Sequence, residues 1–206
     1  MKTFAGLIAG LGNPGGEYEG TRHNFGFLAV DRLMEAAGGE KSCPSFKAWK
    51  DCLAWDCALV GSSPHWLVVK PLTYMNLSGG AVGGICRRFH IPPDRLLVIH
   101  DELDFPLGRM KLKFGGGTSG HNGLASIVDH LGTRDFHRLR LGIGRPVPSG
   151  NESGYVLSRF SLEEIEIVNQ VVAAAVQGIK VFIRRGASIA APQINGFSPQ
   201  SGPEPQ

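Results

Sequence analysis

The chain has 206 residues and lacks the marks of several large functional classes. Its 4 cysteines are Cys43, Cys52, Cys57 and Cys86, with no C-x-x-C pair and no histidine at finger spacing. Neither a disulfide framework nor a structural zinc site is indicated, and reduced thiols of a cytoplasmic protein are the simplest reading. No apolar run approaches the roughly 20 residues of a membrane span. The apolar N-terminal stretch is cut by glycines and suits a first strand better than a signal peptide. There is no H-x-x-x-H or H-E-x-x-H, and Asp101, Glu102 and Asp104 have no second carboxylate motif to match them, so no metal set is expected. No serine or cysteine occupies a G-x-S-x-G elbow. Aromatic residues do not interleave with the basic ones, as a platform for single-stranded bases would require. The net charge of +3 is only a weak pointer to an acidic partner.

What the chain does have is glycine, 29 residues of it, and a regular alternation of short apolar runs with helical patterns. Residues 3–10 read as a buried strand and 12–22 as a loop. The stretch from Phe25 to a stop at Gly38 reads as a helix with Phe25, Leu28, Ala29, Leu33, Ala36 and Ala37 on one face. Paired strands follow within 46–60 and 65–70, then a helix over 79–89. "RLLVIHD", "RMKLKF" and "FHRLRLGIG" read as strands, "GGGTSGHNG" as a loop into a short helix ending near Leu131, and 162–184 as the longest helix. The pattern predicts an α/β fold: a single domain, 1–186, with a twisted mixed β-sheet flanked by helices on both faces. Residues 187–206, rich in proline and small residues, are expected to form a largely disordered tail.

The first strand delivers the chain into "GLGNPGG", which contains G-x-G-x-x-G. A dinucleotide loop would need a helix starting within these glycines and an acidic residue ending the next strand about 20 residues on. Three glycines would weaken that helix by roughly 1 kcal/mol each, and Asp31 falls mid-helix. A type II turn centred on Pro14 and Gly15, holding Asn13 rigidly at the strand end, fits better.

Polar residues cluster at such strand ends: Asn13 with Arg22, His23 and Asn24; Met75 and Asn76; His100, Asp101, Glu102 and Asp104; His121 and Asn122. Taken singly, a loop asparagine is usually a turn or cap residue. Together they supply a histidine–carboxylate pair among carboxamides. A neutral imidazole activates water as a base, a carboxylate fixes its tautomer, and carboxamides both donate to and accept from a peptide backbone. Lys111 and Lys113 alternate along one strand with Arg109, and Arg138 and Arg140 along another. Each set shares a face, which is either a solvated surface or, where the two meet, a phosphate site.

The stretches "GLGNPGGEYEGTRHNFGF", "KPLTYMNLSG", "HDELDFPLGRMKLKFGGGTSGHNGL" and "FHRLRLGIGRP" resemble, in order, the bacterial-type peptidyl-tRNA hydrolases. The resemblance implies an enzyme that hydrolyses the ester between a prematurely released peptide and tRNA, recycling tRNA for translation. It implies a cytoplasmic monomer with no metal, no organic cofactor, no membrane association and no obligate protein partner. By the same likeness His23 matches the base and Asp101 the acid that orients it. Asn13, Asn76 and Asn122 match carboxamides at the peptide and ester end of the cleft, Met75 a cleft wall, and His121 a second motif histidine. Tyr18 and Tyr74 match aromatic positions beside the site. Lys113 and Arg140 match a clamp on the tRNA 5′ phosphate, with Lys111 and Arg138 as support. Two positions depart from the pattern: Thr118 and Ser119 stand among the loop glycines, and Arg145 stands where histidine is common. A splicing factor of this fold offers the rival reading of an RNA-binding module without turnover. That class would need a transit peptide, for which the residues ahead of the first strand are expected to leave no room.

Overall fold

A computed structural model describes residues 2–61, 64–146 and 150–200. In chain order the elements are β1 (Leu7–Gly10), α1 (Phe25–Ala36), β2 (Cys52–Cys57), β3 (Trp66–Pro71), α2 (Ser78–Phe89), β4 (Leu96–Glu102), β5 (Met110–Phe114), α3 (Asn122–Leu131), β6 (His137–Gly142), α4 (Glu152–Val156), α5 (Leu162–Arg185) and α6 (Ala187–Asn195). The strands form one sheet in the order β2-β3-β1-β4-β6-β5. The inner pairings are parallel, and the β2–β3 and β5–β6 edges are antiparallel.

Both sheet faces are covered, and the strand period of two shows directly in the packing. On β1 and β4, Ile8, Leu97 and Ile99 enter a core shared with α1, α5 and α6. Their neighbours Leu7, Ala9, Leu96 and Val98 enter the opposite core, under α2 and α3. The chain leaves β1 through α1 to reach β3 on one side, then returns through α2 to β4 on the other. The strand order therefore reverses between β1 and β4, and the crevice beyond their carboxyl ends is where open α/β sheets bind ligands. Asn13 follows one of these strands and Asp101 ends the other.

Some sequence expectations need correction. Helix α1 buries Phe25, Gly26, Phe27, Ala29, Val30, Leu33 and Met34, so Leu28 and Ala36 face outward. Gly15 has the positive φ of a turn glycine, but its ψ of 145° is extended, and it leads into a 3-10 turn at Gly16–Tyr18 instead of completing a type II turn. The segment from 187 does not begin a disordered tail. It forms α6, whose Ala190 and Ile194 are buried. Gly178 makes this possible, since a Cβ there would lie 2.4 Å from Ile194 Cγ1. Asn195 Oδ1 accepts from the Leu112 N–H on edge strand β5 at 2.8 Å, and Gln200 N donates to Gln170 Oε1 of α5. The rest of the expected tail, 201–206, lies outside the described residues.

Helix α5 is long and apolar enough to cross a membrane by length and composition. Here one face, from Val168 through Val171, Ala175 and Ile179 to Phe182, packs into the core.

Candidate active site

The crevice holds a cavity of about 580 Å³ lined by Asn13, His23, Met75, Asn76, Asp101 and Asn122, among others. His23 reaches it from a 3-10 turn, Arg22–Asn24, that runs into α1. Close contact between this turn and the strand ends depends on Gly26, where a Cβ would fall 2.3 Å from the Ile99 carbonyl oxygen. Arg22 fixes the turn from behind. Its guanidinium makes a two-pronged pair with Glu164 at 2.9 and 2.7 Å and lies over the rings of Tyr155 and Phe160.

The hydrogen bonds determine the tautomers. His121 Nδ1 accepts from the Gly123 and Leu124 N–H groups at 3.1 and 3.3 Å, capping α3. The neutral ring therefore carries its proton on Nε2, which donates to Asp101 Oδ1 at 3.1 Å. His23 Nδ1 donates to the same oxygen at 2.9 Å. The remaining lone pair of His23, on Nε2, is left for the cavity that His23 lines. Asp101 is buried. Burial alone would raise its pKa, but proximity to and hydrogen bonds from His121 and His23 outweigh it and hold the carboxyl well below the usual carboxylate range.

The carboxamide of Asn13 is oriented as firmly. Its Oδ1 accepts from the Met75 N–H at 2.7 Å, so its Nδ2 donors are the atoms available to a ligand. Its backbone is held by Asn24, whose Oδ1 accepts from Asn13 N at 2.7 Å and whose Nδ2 donates to Asn13 O at 3.0 Å. Asn24 stands at the N-cap position of α1 yet makes no cap bond with its side chain. Met75 is buried, while Asn76 and Asn122 are exposed on the cavity wall. Tyr74 also lines the cavity, whereas Tyr18 stacks edge-on behind it, 6.5 Å between centroids, and does not.

The basic stripes meet as cross-strand neighbours, Lys111 opposite Arg140 and Lys113 opposite Arg138. Their environments differ. Arg138 is buried, and its Nη atoms donate to the carbonyls of Gly116, Gly117 and Arg134, fastening the glycine loop. Arg140 Nε donates to Glu102 at 2.7 Å. Lys113 is exposed and, with Arg138 and Arg140, lines a second, smaller cavity.

Three ligand atoms of His23, Asp101 and His121 lie within 4.8 Å of one another, a spacing that could hold a metal ion. Their protonation opposes it. A metal on His121 Nε2 would displace the proton bound for Asp101 and move it to Nδ1, where two backbone N–H groups already donate.

The cleft wall formed by α4 and the residue after it leaves almost no trace in the sequence pattern. Glu152, Ser153, Val156 and Leu157 line the main cavity, and Arg145 bridges Asp104 to Glu152. The only signals were Arg145 as a departure and the Asn151 cap of this short helix.

The profile described as peptidyl-tRNA hydrolase matches residues 7–202. The chain belongs to the peptidyl-tRNA hydrolase family. It is 52% identical to the peptidyl-tRNA hydrolase of Oleidesulfovibrio alaskensis over 195 residues, covering 92% of this chain and 96% of that one. It is 44% identical to that of Thermus thermophilus over 191 residues, 93% and 96% of the two chains. The crystal structure of peptidyl-tRNA hydrolase from Acinetobacter baumannii superposes with a TM-score of 0.87 at 35% identity, covering 97% of this chain and all of that one. This peptidyl-tRNA hydrolase family member is accordingly an enzyme, a hydrolase acting in translation.

Proposed function

We propose that this hydrolase cleaves the ester joining peptide to tRNA in prematurely released peptidyl-tRNA by a metal-free, histidine-activated attack of water. The observation that carries the reading is the His23 imidazole, its Nδ1 proton held by Asp101 and its Nε2 lone pair left for the cavity. Water hydrogen-bonded to Nε2 gives up its proton as its oxygen attacks the ester carbonyl. Asp101 stabilises the imidazolium, which then returns the proton to the leaving ribose oxygen.

Asn13 Nδ2 is the preferred oxyanion donor, because the Met75 N–H leaves that group no other orientation. Such a donor is typically worth about 3 kcal/mol. Asn76 and Asn122, with Met75 and Tyr74 as wall, bind the peptide side, and His121 keeps Asp101 in place. A free α-ammonium would leave these polar partners unmatched, which favours peptidyl- over aminoacyl-tRNA. Lys113 and Arg140 hold the 5′ phosphate, with Lys111 and Arg138 beside them. The enzyme acts as a cytoplasmic monomer, without a membrane or an obligate protein partner.

The test is release of N-acetyl-amino acid from N-acetyl-aminoacyl-tRNA with EDTA present, beside unblocked aminoacyl-tRNA. Cleavage of the blocked substrate alone is expected. tRNA binding without cleavage would favour the rival, an RNA-binding module that keeps the motifs without turnover.

A further inference from the structure

Cys43 and Cys57 have no part in the site described above, and both are fully buried. After α1 the chain passes through Gly38 and Gly39, both at positive φ, and then lays an extended strap along the outer edge of β2. Backbone hydrogen bonds hold the strap there. Asp56 N–H donates to the Pro44 carbonyl at 3.1 Å, and Phe46 N–H to the Ala54 carbonyl at 2.7 Å. These bonds flank Ser45 and Trp55, an antiparallel pair whose members do not bond to each other. Two residues further along each segment, the same register sets Cys43 opposite Cys57, and both side chains enter the core that also holds Met34. The thiols are in reach of each other, since their mutual hydrogen bond affects the ionisation of both. Cys57 Sγ also lies 3.6 Å from Met34 Sδ.

Residues opposed in this way have Cα atoms about 4.5 Å apart, at the near limit of the roughly 4.4–6.8 Å that a disulfide spans. A bond there needs no backbone rearrangement, but it is strained and so more easily reduced than a structural disulfide. We propose that Cys43 and Cys57 form a reversible disulfide, made by exchange with a low-molecular-weight disulfide and undone by thiols. In the closed strap, burial above all raises the pKa of both thiols, and neither reacts. Fraying of the Gly39–Pro44 end breaks the bonds from Asp56 N–H to Pro44 and from Cys43 N–H to Gly39. It brings Cys43 into water, where its thiol regains its ordinary acidity. The Cys43 thiolate attacks one sulfur of the small disulfide RSSR, giving Cys43–S–SR and releasing RS⁻, which takes up a proton. When the strap closes again, the Cys57 sulfur gives up its proton, attacks the Cys43 sulfur and expels the second RS⁻. The two protein thiols are thereby oxidised to one disulfide, and RSSR is reduced to two RSH. The new bond pins the strap to β2, at the sheet edge farthest from β5. Neither cysteine lines the catalytic cavity, so hydrolysis continues in the oxidised protein.

The test treats the full chain with oxidised glutathione under native conditions, then alkylates free thiols and maps the peptides by mass spectrometry. The peptides carrying Cys43 and Cys57 are expected to become crosslinked and to separate again with dithiothreitol. Cys57→Ala should stop the reaction at a glutathione adduct on Cys43. Cys43→Ala should leave Cys57 unmodified, because only the strap opens. Cys52 supplies the contrast, since it is partly exposed and stands opposite Pro71 instead of a thiol. Glutathione on Cys52 with Cys43 and Cys57 both still free would mark the pair as inert core residues and overturn the proposal. A Cys43–Cys57 crosslink that forms only in urea would overturn it equally. Should the variants fail to fold, hydrogen exchange of the wild type decides. The Asp56 amide, which is released when the strap frays, should exchange at least about tenfold more slowly after oxidation and recover its first rate with dithiothreitol. An unchanged Asp56 rate after oxidation sinks the proposal.

Discussion

His23 and His121 donate to one and the same oxygen, Asp101 Oδ1, at 2.9 and 3.1 Å. One carboxylate oxygen thus sets the tautomer of His23 and is itself held by the residue that caps α3. Asp101→Asn replaces this acceptor with a group that can also donate, and it frees His23 to take the wrong tautomer. kcat should drop by two to four orders of magnitude, roughly the loss seen when a catalytic histidine loses its carboxylate, with tRNA affinity little changed. Single-turnover rates beside a binding isotherm check this. The same bonds give a pH signature. Because the folded-state pKa of Asp101 is lowered, the unfolded chain takes up its proton at higher pH. The stabilisation is complete above the usual carboxylate pKa, about 4, and is lost as pH falls below it. Acid unfolding should begin in that range, and the slope of stability against pH should shrink in Asp101→Asn.

Arg22 is buried between two aromatic rings and is paired with Glu164, 142 residues away along the chain. Lysine keeps the charge but loses the fork and the stacking. Arg22→Lys should lower unfolding free energy by about 2 kcal/mol, at the low end for a buried pair because Glu164 is partly exposed. It should also reduce kcat more than it raises KM, since His23 is the next residue. Urea titration and steady-state kinetics separate the two effects. Unchanged kinetics at reduced stability would limit Arg22 to a structural role.

Ser119 sits at φ 47°, in the left-handed region that disfavours a side chain. Ser119→Gly should relieve strain and stabilise by about 1 kcal/mol, less the extra backbone freedom of glycine in the unfolded chain. Thermal unfolding checks the sign, and a lower Tm would contradict the strain assignment.

Removing α6 by ending the chain after Gly186 would uncover the core packed on Ile194 and leave the Leu112 N–H on the sheet edge without its Asn195 acceptor. The truncated protein should unfold at a lower temperature and aggregate more readily, as an exposed edge strand favours. Asn195→Ala alone should cost about 1 kcal/mol, the net worth of one hydrogen bond.

Much of the candidate site is legible in the sequence because its polar residues stand in short loops beyond strands. Asn13, His23, Asp101 and Asn122 are each delivered by an element whose periodicity is plain, and the switch in strand order brings them to one crevice. The parts that could not be read depend on contacts remote in sequence. Asn24 looks like a helix cap until its side chain is seen holding the Asn13 backbone. Arg22 looks like one more loop cation until Tyr155, Phe160 and Glu164 surround it. The prolines after Gly186 argued against a helix, and packing of Ile194 onto Gly178 prevailed over that local preference. The α4 wall is five residues long, too short for any periodicity to show.

The central claim is that His23 Nε2 takes the proton from the attacking water. His23→Ala tests it in single turnover on N-acetyl-aminoacyl-tRNA, with and without added imidazole. tRNA binding should persist and cleavage should fall by at least about a hundredfold, the low end of a general-base contribution. Free imidazole should restore part of the rate, increasingly as its neutral form grows with pH. A variant that cleaves at nearly the wild-type rate without imidazole would show that another group activates the water.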